Sequence, residues 1–353
     1  MDLNSPKLVR YGKPSGPLLK HKQAFFEQND RLLAERLRIG EVYTRQPRRT
    51  QCKCCDGPLG AVSFRKQEID YMICQHCGHL NGAHEDTRAF CQEVYTNDEG
   101  ASYGSVYSAE SKDLYNSRTQ DIYLPKAAFL IEALTAAGEK PTDLSYVDLG
   151  AGAGYFVAAL LQCDVNRVQG LEVSKFQVDL ANRMIGDHRV KEHALEDITG
   201  IAAEMDADVV SLIGVLEHLS EPRVLLKAFN NNPVLKYIFL SVPLFSPSNF
   251  FEMVFPTVFH RHLSGGHTHL YTTSSLDWTC REFGFECIAE WWFGTDVVDW
   301  YRSVMVHLGQ QPETRKMAEM WGNLWAPVID SLQMELDRRH LASQVHMLWR
   351  ILR

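Results

Sequence analysis

The stretch VDLGAGAGYF, residues Val147–Phe156, decides the fold of this chain. A short apolar strand runs into glycines at every second position, and an acidic residue, Asp148, stands just before them. Glycines allow the sharp turn and the close backbone approach to a ligand that the first loop of a doubly wound sheet requires. The dinucleotide fingerprint G-x-G-x-x-G needs a further glycine where this chain has Tyr155. The stretch therefore predicts an α/β fold with a nucleoside-binding loop that departs from the dinucleotide pattern.

The segment from residue 144 to 309 alternates strand-like runs with helical patterns, which predicts a parallel sheet covered by helices on both faces. The predicted strands are Tyr146–Leu149, Val168–Leu171, Arg189–Glu192, Val209–Ile213, Tyr237–Val242, Glu286–Trp292 and Ser303–His307. The predicted helices between them are Tyr155–Gln162, Lys175–Met184, Pro222–Asn230 and Ser274–Phe283. We expect the last two strands to form an antiparallel pair at one edge.

Two carboxylates indicate which nucleoside cofactor the loop holds. Glu172 ends the second strand about 20 residues after the loop, where a carboxylate can accept hydrogen bonds from both hydroxyls of a ribose. Asp148 would repel a pyrophosphate but attracts the cationic sulfonium and amino group of S-adenosylmethionine (SAM). Together with Tyr155, these residues favour SAM over NAD. An NAD-linked enzyme, or a glycine turn without a ligand, remains the alternative.

The glycine loop, Glu172 and the segment Val215–Leu219 (VLEHL) resemble the class I SAM-dependent methyltransferases over about residues 125–308. The resemblance implies a Rossmann-like, seven-stranded sheet of order 3-2-1-4-5-7-6 with strand 7 antiparallel. It also implies a set of SAM contacts, with Leu195 and Glu196 beside the adenine. The implied cofactor-binding residues are Asp148, Gly150, Ala151, Gly152, Gly154, Glu172, Leu195, Glu196 and Gly214.

A cysteine cluster precedes this domain. Cys52-x-x-Cys55 and Cys74-x-x-Cys77 are separated by 18 residues, the spacing of a zinc ribbon in which two knuckles give four thiolates to one Zn(II). Such a closed site is structural. Other candidate ligands and a redox dithiol remain alternatives; the candidates are Cys54, His76, His79 and Cys91.

A zinc module ahead of a class I domain is similar to the bacterial deoxysugar C-methyltransferases and related enzymes of polysaccharide biosynthesis. This chain lacks their paired Tyr/His run, and its C-terminal part is shorter. The resemblance implies methylation of a hydroxyl of a sugar, nucleotide-sugar or glycan. The alternatives are a C-methyltransferase of a nucleotide-linked deoxysugar, an O-methyltransferase of another small molecule, and an inactive SAM-binding scaffold protein.

Histidines are the candidate catalytic residues for a hydroxyl acceptor, which needs a base. His218 follows the fourth strand, beside the expected methyl group, and His267 and His269 are the next candidates. His260 and His262 lie in the same long loop, but its H-x-H pairs have no acid close by, which disfavours a second metal. Three tyrosines are candidates for a lid over SAM: Tyr103, Tyr107 and Tyr115.

The composition sets the remaining expectations. A formal charge of -8 argues against nucleic-acid binding, and the chain shows neither a signal-peptide pattern nor a membrane-spanning run, which predicts a cytoplasmic protein. The expected units are a helical segment with a poorly ordered start (1–50), a zinc-binding module (51–95), a helical connector (96–143), the SAM-dependent methyltransferase domain (144–309) and a C-terminal helical extension (310–353). The extension either covers the sheet or joins two copies of the chain.

Overall fold

The computed structural model describes residues 7–96, 111–259, 261–263 and 266–353. Its strands, in chain order, are β1 (Leu8–Tyr11), β2 (Phe64–Lys66), β3 (Ile69–Ile73), β4 (Leu80–Gly82), β5 (Tyr146–Leu149), β6 (Val168–Glu172), β7 (Val190–Glu192), β8 (Val209–Ile213), β9 (Tyr237–Pro243), β10 (His269–Leu270), β11 (Phe285–Phe293) and β12 (Gln344–Ile351). The main sheet has eight of these strands in the order β1-β11-β12-β9-β8-β5-β6-β7.

Counted from β5, the strands of this sheet lie in the order 3-2-1-4-5-7-6, and β12, the seventh, is antiparallel to both of its neighbours. Successive residues of each inner strand enter two different cores: Tyr146 and Val209 face one, and Val147 and Val210 face the other. Both faces of the sheet are therefore covered, as the alternating pattern predicts.

The seventh strand was predicted in the wrong place. Ser303–His307 lies inside the helix Asp296–Gln310, and the antiparallel strand is β12, within a segment that we predicted to be helical. β12 pairs with β9 on one side and β11 on the other, and nearly all of it is buried. A strand buried on both faces shows no alternation of polar and apolar residues, so its periodicity does not separate it from a buried helix.

The eighth strand was not predicted at all, because the start of the chain was expected to be poorly ordered. β1 pairs in parallel with β11, and the Gly12 N–H extends the pairing by donating to the Trp292 carbonyl at 2.9 Å. The Arg10 guanidinium lies 5.1 Å from the ring centroids of Phe129 and Trp291. These contacts are all distant in sequence, so the local composition does not reveal the strand.

The helices, in chain order, are α1 (Ser15–His21), α2 (Ala24–Glu27), α3 (Asn29–Thr44), α4 (Arg88–Cys91), α5 (Lys112–Arg118), α6 (Leu124–Ala136), α7 (Tyr155–Gln162), α8 (Lys175–Ile185), α9 (Ile198–Glu204), α10 (Pro222–Asn231), α11 (Pro247–Val254), α12 (Thr273–Phe283), α13 (Asp296–Gln310), α14 (Arg315–Trp325) and α15 (Ile329–Arg338). The helices predicted inside the methyltransferase segment match α7, α8, α10 and α12 to within one residue at each end. The predicted N-terminal helical segment consists of three helices, α1, α2 and α3. Met320 and Leu324 on α14 are exposed, and the association of two copies stays a prediction.

A second, small sheet has the strand order β10-β4-β3-β2. Three of its strands come from the cysteine-containing unit, and β10 comes from the long loop after β9. Cys52 and Cys77 pack in the same core as Leu216 and Tyr271, so this unit packs against the main domain near the carboxyl end of β8. Within the described ranges, every helix is too short or too polar to cross a bilayer.

Candidate functional site

The glycine loop lies between the carboxyl ends of β5, β6 and β8. Gly150, Gly152 and Gly154 have φ angles of 73°, 53° and 73°, which side-chain-bearing residues rarely adopt. A Cβ at Gly150 would lie 2.5 Å from Val215 Cγ2, so the loop packs directly on the residue that follows β8 by two positions. The three glycines thus form the sharp turn that the sequence predicts, and Val215 leaves no room for a side chain at Gly150.

Gly154 lets the loop approach the helix α8 closely. A Cβ at Gly154 would lie 2.9 Å from Ala181 Cβ on α8. Tyr155 is buried and stacks on Tyr115, with ring centroids 4.5 Å apart. The position where the dinucleotide fingerprint has its third glycine is therefore filled by a buried aromatic ring.

Glu172 holds the glycine loop against the end of β6. Its Oε2 accepts the Gly152 N–H at 2.8 Å, and its Oε1 accepts the N–H groups of Val173 and Ser174, each at 2.9 Å. A carboxylate offers about four lone-pair sites, so these three bonds leave one on Oε2. One ribose hydroxyl can bind there directly; a second would have to compete with the Gly152 N–H.

Asp148 is almost fully buried below the loop. The Ser211 hydroxyl donates to its Oδ1 at 2.6 Å. Burial raises the pKa of Asp148 to about 7, against the opposing effects of Ser211 and of the Lys126 ammonium. A buried carboxyl of this kind ionises readily when a cationic ligand group comes next to it.

The residues predicted to flank an adenine lie at the rim of an open cavity of about 430 Å³. Leu195 and Glu196 belong to a 3-10 turn after β7, and Val173 and Glu192 line the same cavity. Arg88 donates to Glu196 at 2.6 Å, which connects this rim to the N-terminal part of the chain. Gly214, with a φ of 70°, is exposed at the end of β8.

Two of the three predicted catalytic histidines come together. The rings of His218 and His267 lie 5.0 Å apart, and Glu217 joins them so that one ligand atom of each residue lies within 4.8 Å of the others. Burial lowers the pKa of His218 to about 4 and that of His267 well below its ordinary value, so both imidazoles are neutral at pH 7. Burial also raises the pKa of Glu217 to about 8.

The third predicted histidine, His269, lies on β10 and faces the small sheet instead. Its Nδ1 is 2.8 Å from His79 Nε2, and both rings contact Tyr271. His262 is also engaged elsewhere, with Nε2 3.2 Å from an oxygen of Asp299.

Of the three tyrosines predicted to form a lid over SAM, the structure describes Tyr115. Tyr115 is buried and donates to the Ala153 carbonyl at 3.1 Å, which places it against the glycine loop. His260, Tyr103 and Tyr107 lie outside the described residues.

The cysteine cluster has the geometry of a closed metal site. The Sγ atoms of Cys52 and Cys77 are 3.6 Å apart, and those of Cys55 and Cys74 are 3.5 Å apart. Four thiolates at about 2.3 Å from a tetrahedral Zn(II) lie roughly 3.8 Å from one another. The four sulfurs therefore already lie close to the spacing that this ion imposes.

The side chains considered as alternative zinc ligands contact other residues. Cys54 Sγ lies 3.4 Å from Thr279 Oγ1, and His79 Nε2 lies 2.8 Å from His269 Nδ1. His76 packs edge-on against Trp278, and Cys91 Sγ approaches the Asp86 carbonyl at 3.8 Å. The described residues that converge on one point in this unit are the four predicted cysteines.

Sequence reasoning missed Glu217 and Lys126. Glu217 stands inside the VLEHL segment, but we looked for an acid near the loop histidines and found none; the fold brings His267 to the acid instead. Lys126 acts on both Asp148 and Glu217, although it is more than 20 residues from the first and more than 90 from the second. The position of Glu217 next to His218 could have identified it as a site residue from the sequence. No pattern in the sequence connects Lys126 to the site.

Residues 122–290 match the family model described as "Methyltransferase domain". A comparison with curated proteins finds no match. Among solved structures, the chain is similar to magnesium protoporphyrin IX methyltransferase from Synechocystis PCC 6803 with bound SAH (14% identity, 57% of this chain and 90% of that chain, TM-score 0.42). It is also similar to geranyl diphosphate C-methyltransferase from Streptomyces coelicolor A3(2) (11% identity, 69% of this chain and 85% of that chain, TM-score 0.40). A third similar structure is that of a plantazolicin methyltransferase (14% identity, 75% of this chain and 95% of that chain, TM-score 0.43). The family match supports a transferase enzyme.

Proposed function

We propose that this chain, which carries a methyltransferase domain over residues 122–290, uses SAM to methylate a hydroxyl of a sugar, nucleotide-sugar or glycan. The observation that carries the SAM assignment is the pairing of a left-handed glycine loop with two buried carboxylates, Asp148 and Glu172. SAM is the nucleoside cofactor whose amino and sulfonium groups are cationic, and it therefore complements this charge.

The residues that would hold SAM fit its chemistry. Glu172 keeps one acceptor site for a ribose hydroxyl, Asp148 offers a buried carboxylate to the amino group, and Leu195 and Glu196 border the cavity at the adenine end. Gly150 and Gly214 present backbone without side chains to the methionine part. When bound, SAM supplies an electrophilic methyl group, and the rest of the reaction depends on the alignment of the acceptor oxygen.

The acceptor oxygen needs a group that removes its proton, and His218 with His267 are the residues we assign to it. Both are neutral. His218 lies on the turn after β8, which packs on the glycine loop through Val215, and His267 lies on the loop after β9, next to His218. His269, engaged with His79, is the weaker candidate. The sugar class of the acceptor rests on the likeness of the zinc module and its position to the polysaccharide-biosynthesis enzymes.

The zinc module, in this proposal, has a structural role in building the acceptor site. β10 pairs with β4 of the module and lies two residues after His267. The carboxylate of Glu252 accepts the N–H groups of His262 and Leu263 at 2.7 and 2.9 Å, and the module's Lys66 donates to it at 3.2 Å. A module folded around Zn(II) thus positions the loop that carries His267. The domain boundaries given above are part of this proposal.

Incubation of the zinc-loaded protein with SAM and a mixture of nucleotide sugars and glycans tests the proposal. We expect S-adenosylhomocysteine and a product heavier by one methylene group, both detected by mass spectrometry. Formation of neither, by a protein that binds SAM, would favour the inactive scaffold. A product whose added methyl group is bound to carbon would support the C-methyltransferase instead.

A further inference from the structure

Glu217, His218 and His267 form a second cluster of metal-ligating side chains, separate from the cysteines. One ligand atom from each lies within 4.8 Å of the others. We propose that this cluster binds a divalent transition-metal cation, such as Mn²⁺, that also binds the acceptor's hydroxyl oxygen. The inference rests on the proposed function for its acceptor but not for the cation site itself.

The two imidazoles have the tautomer that a metal ligand needs. His218 Nδ1 lies 3.1 Å from the Gly266 carbonyl, and His267 Nδ1 lies 3.1 Å from the His262 carbonyl. A carbonyl accepts, so each Nδ1 carries the hydrogen and each Nε2 carries the lone pair. Metal-bound histidines characteristically donate their second ring N–H to a backbone carbonyl in this way, which fixes the tautomer and the plane of the ring.

The environment of Glu217 indicates that a cation binds next to its side chain. Its side chain is almost fully buried, and its Oε2 has no hydrogen-bond partner among the described residues. A buried carboxyl oxygen left without a hydrogen-bond partner is costly. Lys126 is the basic side chain that acts on Glu217, and it also acts on Asp148, so one side chain serves two buried carboxyl groups. A divalent ion bound to this oxygen would displace the carboxyl proton and give the oxygen a partner.

The donor set indicates the kind of ion. Two imidazole nitrogens and one carboxylate are typical of first-row transition metals and are unlike the all-oxygen sites of Mg²⁺ and Ca²⁺. Three protein ligands leave coordination positions open, in contrast to four thiolates. The ligand atoms lie within 4.8 Å of one another, and they must draw together to roughly 3 Å around a bound ion.

The cluster lies close to the glycine loop, where a bound cation could take part in methyl transfer. Glu217 and His218 lie in the turn after β8, and Val215, two residues before Glu217, is the residue against which Gly150 packs. A cation there can bind the acceptor's hydroxyl oxygen and lower the pKa of that hydroxyl, whose proton then passes to bulk water. The oxygen stays on the metal as the nucleophile. With the cation bound, the Nε2 atoms of His218 and His267 are its ligands, and water takes the hydroxyl proton; without the cation, the two imidazoles keep the role of base assigned to them above.

Titration of the zinc-loaded protein with Mn²⁺, followed by loss of the free-ion EPR signal, tests the site. Mn²⁺ is chosen because thiolates bind it poorly, so the cysteine cluster does not compete. We expect one Mn²⁺ per chain, and at least about a hundredfold weaker binding in Glu217→Gln and in His267→Gln, a larger loss than outer-shell partners cause. Exposed His188 provides the matched control: His188→Ala should keep the wild-type affinity.

Melting temperatures of the two variants show whether each is folded, and each variant tests the site independently of the other. Wild-type protein that binds no Mn²⁺, or folded variants that bind it as tightly as the wild type, would overturn the inference. Calorimetry with SAM on the same samples separates the two proposals. SAM binding without Mn²⁺ binding leaves the proposed function intact, whereas Mn²⁺ binding without SAM binding removes the proposed function but keeps the cation site.

Discussion

The cysteine cluster and the Glu217–His218–His267 cluster show two opposite ways of arranging metal-ligating residues. Four cysteines on two short knuckles stand at nearly tetrahedral spacing, with partners 3.5 and 3.6 Å apart. The second cluster has three ligands from two distant segments and a carboxylate oxygen without a partner. A full set of ligands holds a fold together, whereas an incomplete set leaves room for a substrate.

The two clusters also differ in how far the sequence alone predicts them. The cysteine site is local and could be predicted from spacing alone. The second site depends on the loop after β9 bringing His267 to the turn after β8, and the cysteine unit holds that loop through β10. The predictions below test the two regions and the cofactor loop between them, from the largest expected effect to the smallest.

Substitution Cys74→Ser removes a zinc ligand, and we expect the largest effect on stability. Structural zinc contributes directly to folding, so the variant should lose its zinc and either melt many degrees lower or fail to accumulate as soluble protein. Elemental analysis and thermal melting measure both effects.

Cys54→Ser is the matched control, because the Cys54 sulfur faces Thr279 rather than the cluster. We expect it to keep one zinc per chain. Loss of zinc from the Cys54 variant together with retention by the Cys74 variant would mean that the ligand set is wrong.

Substitution Gly150→Ala tests the cofactor loop. The added Cβ would lie 2.5 Å from Val215 Cγ2, at a φ of 73°, so the loop must move and SAM affinity should fall by at least about a hundredfold. Isothermal titration calorimetry gives the affinity.

Gly138 is a fair comparison because it too has a positive φ, 86°, but faces open space. Gly138→Ala should cost about 1 kcal/mol of stability and leave SAM affinity unchanged. Equal loss of SAM affinity in both variants would show a general effect of backbone strain rather than a cofactor loop.

Substitution Glu172→Gln should weaken SAM binding by about ten- to a hundredfold, since a hydrogen bond to a charged acceptor contributes about 1.5–3 kcal/mol. Glu204→Gln, at an exposed position, serves as the control. Unchanged SAM affinity in a folded Glu172→Gln protein would remove this carboxylate from the cofactor site.

The pH dependence of SAM binding should be the smallest effect. Burial raises the pKa of Asp148 to about 7, so its carboxyl is neutral at lower pH and must release a proton before it can pair with a cation. Between pH 7 and 5.5, SAM affinity should therefore fall by up to about tenfold per unit as the pH falls.

Two variants check that Asp148 causes this dependence. Asp148→Asn should abolish it, and Ser211→Ala should move the transition to higher pH, because the Ser211 hydroxyl lowers the pKa of Asp148. A slope that survives in Asp148→Asn would assign the titration to another group.

The sequence predicted the features that depend on short stretches of chain. These are the glycine loop, α7 with its exact limits, and the four cysteines of one cluster. It failed where distant segments decide the outcome. β1 is a strand because β11 lies beside it, and β12 was mistaken for a helix because it is buried on both faces.

Some residues of the candidate site could likewise be predicted from the sequence, and others could not. Asp148, Glu172 and His218 stand at the carboxyl ends of predicted strands, so their proximity to the loop follows from the fold class. The approach of His267 to Glu217, and of Lys126 to both buried carboxylates, depends on loop and helix positions for which one sequence has no signal.

The central claim is that the glycine loop with its two carboxylates holds SAM, and calorimetric titration of the zinc-loaded protein with SAM and with NAD⁺ tests it most directly. The account predicts one SAM bound per chain at micromolar concentration, a higher melting temperature with SAM, and no heat with NAD⁺. Absence of SAM binding by folded protein, or binding of NAD⁺ at the same site, would contradict it.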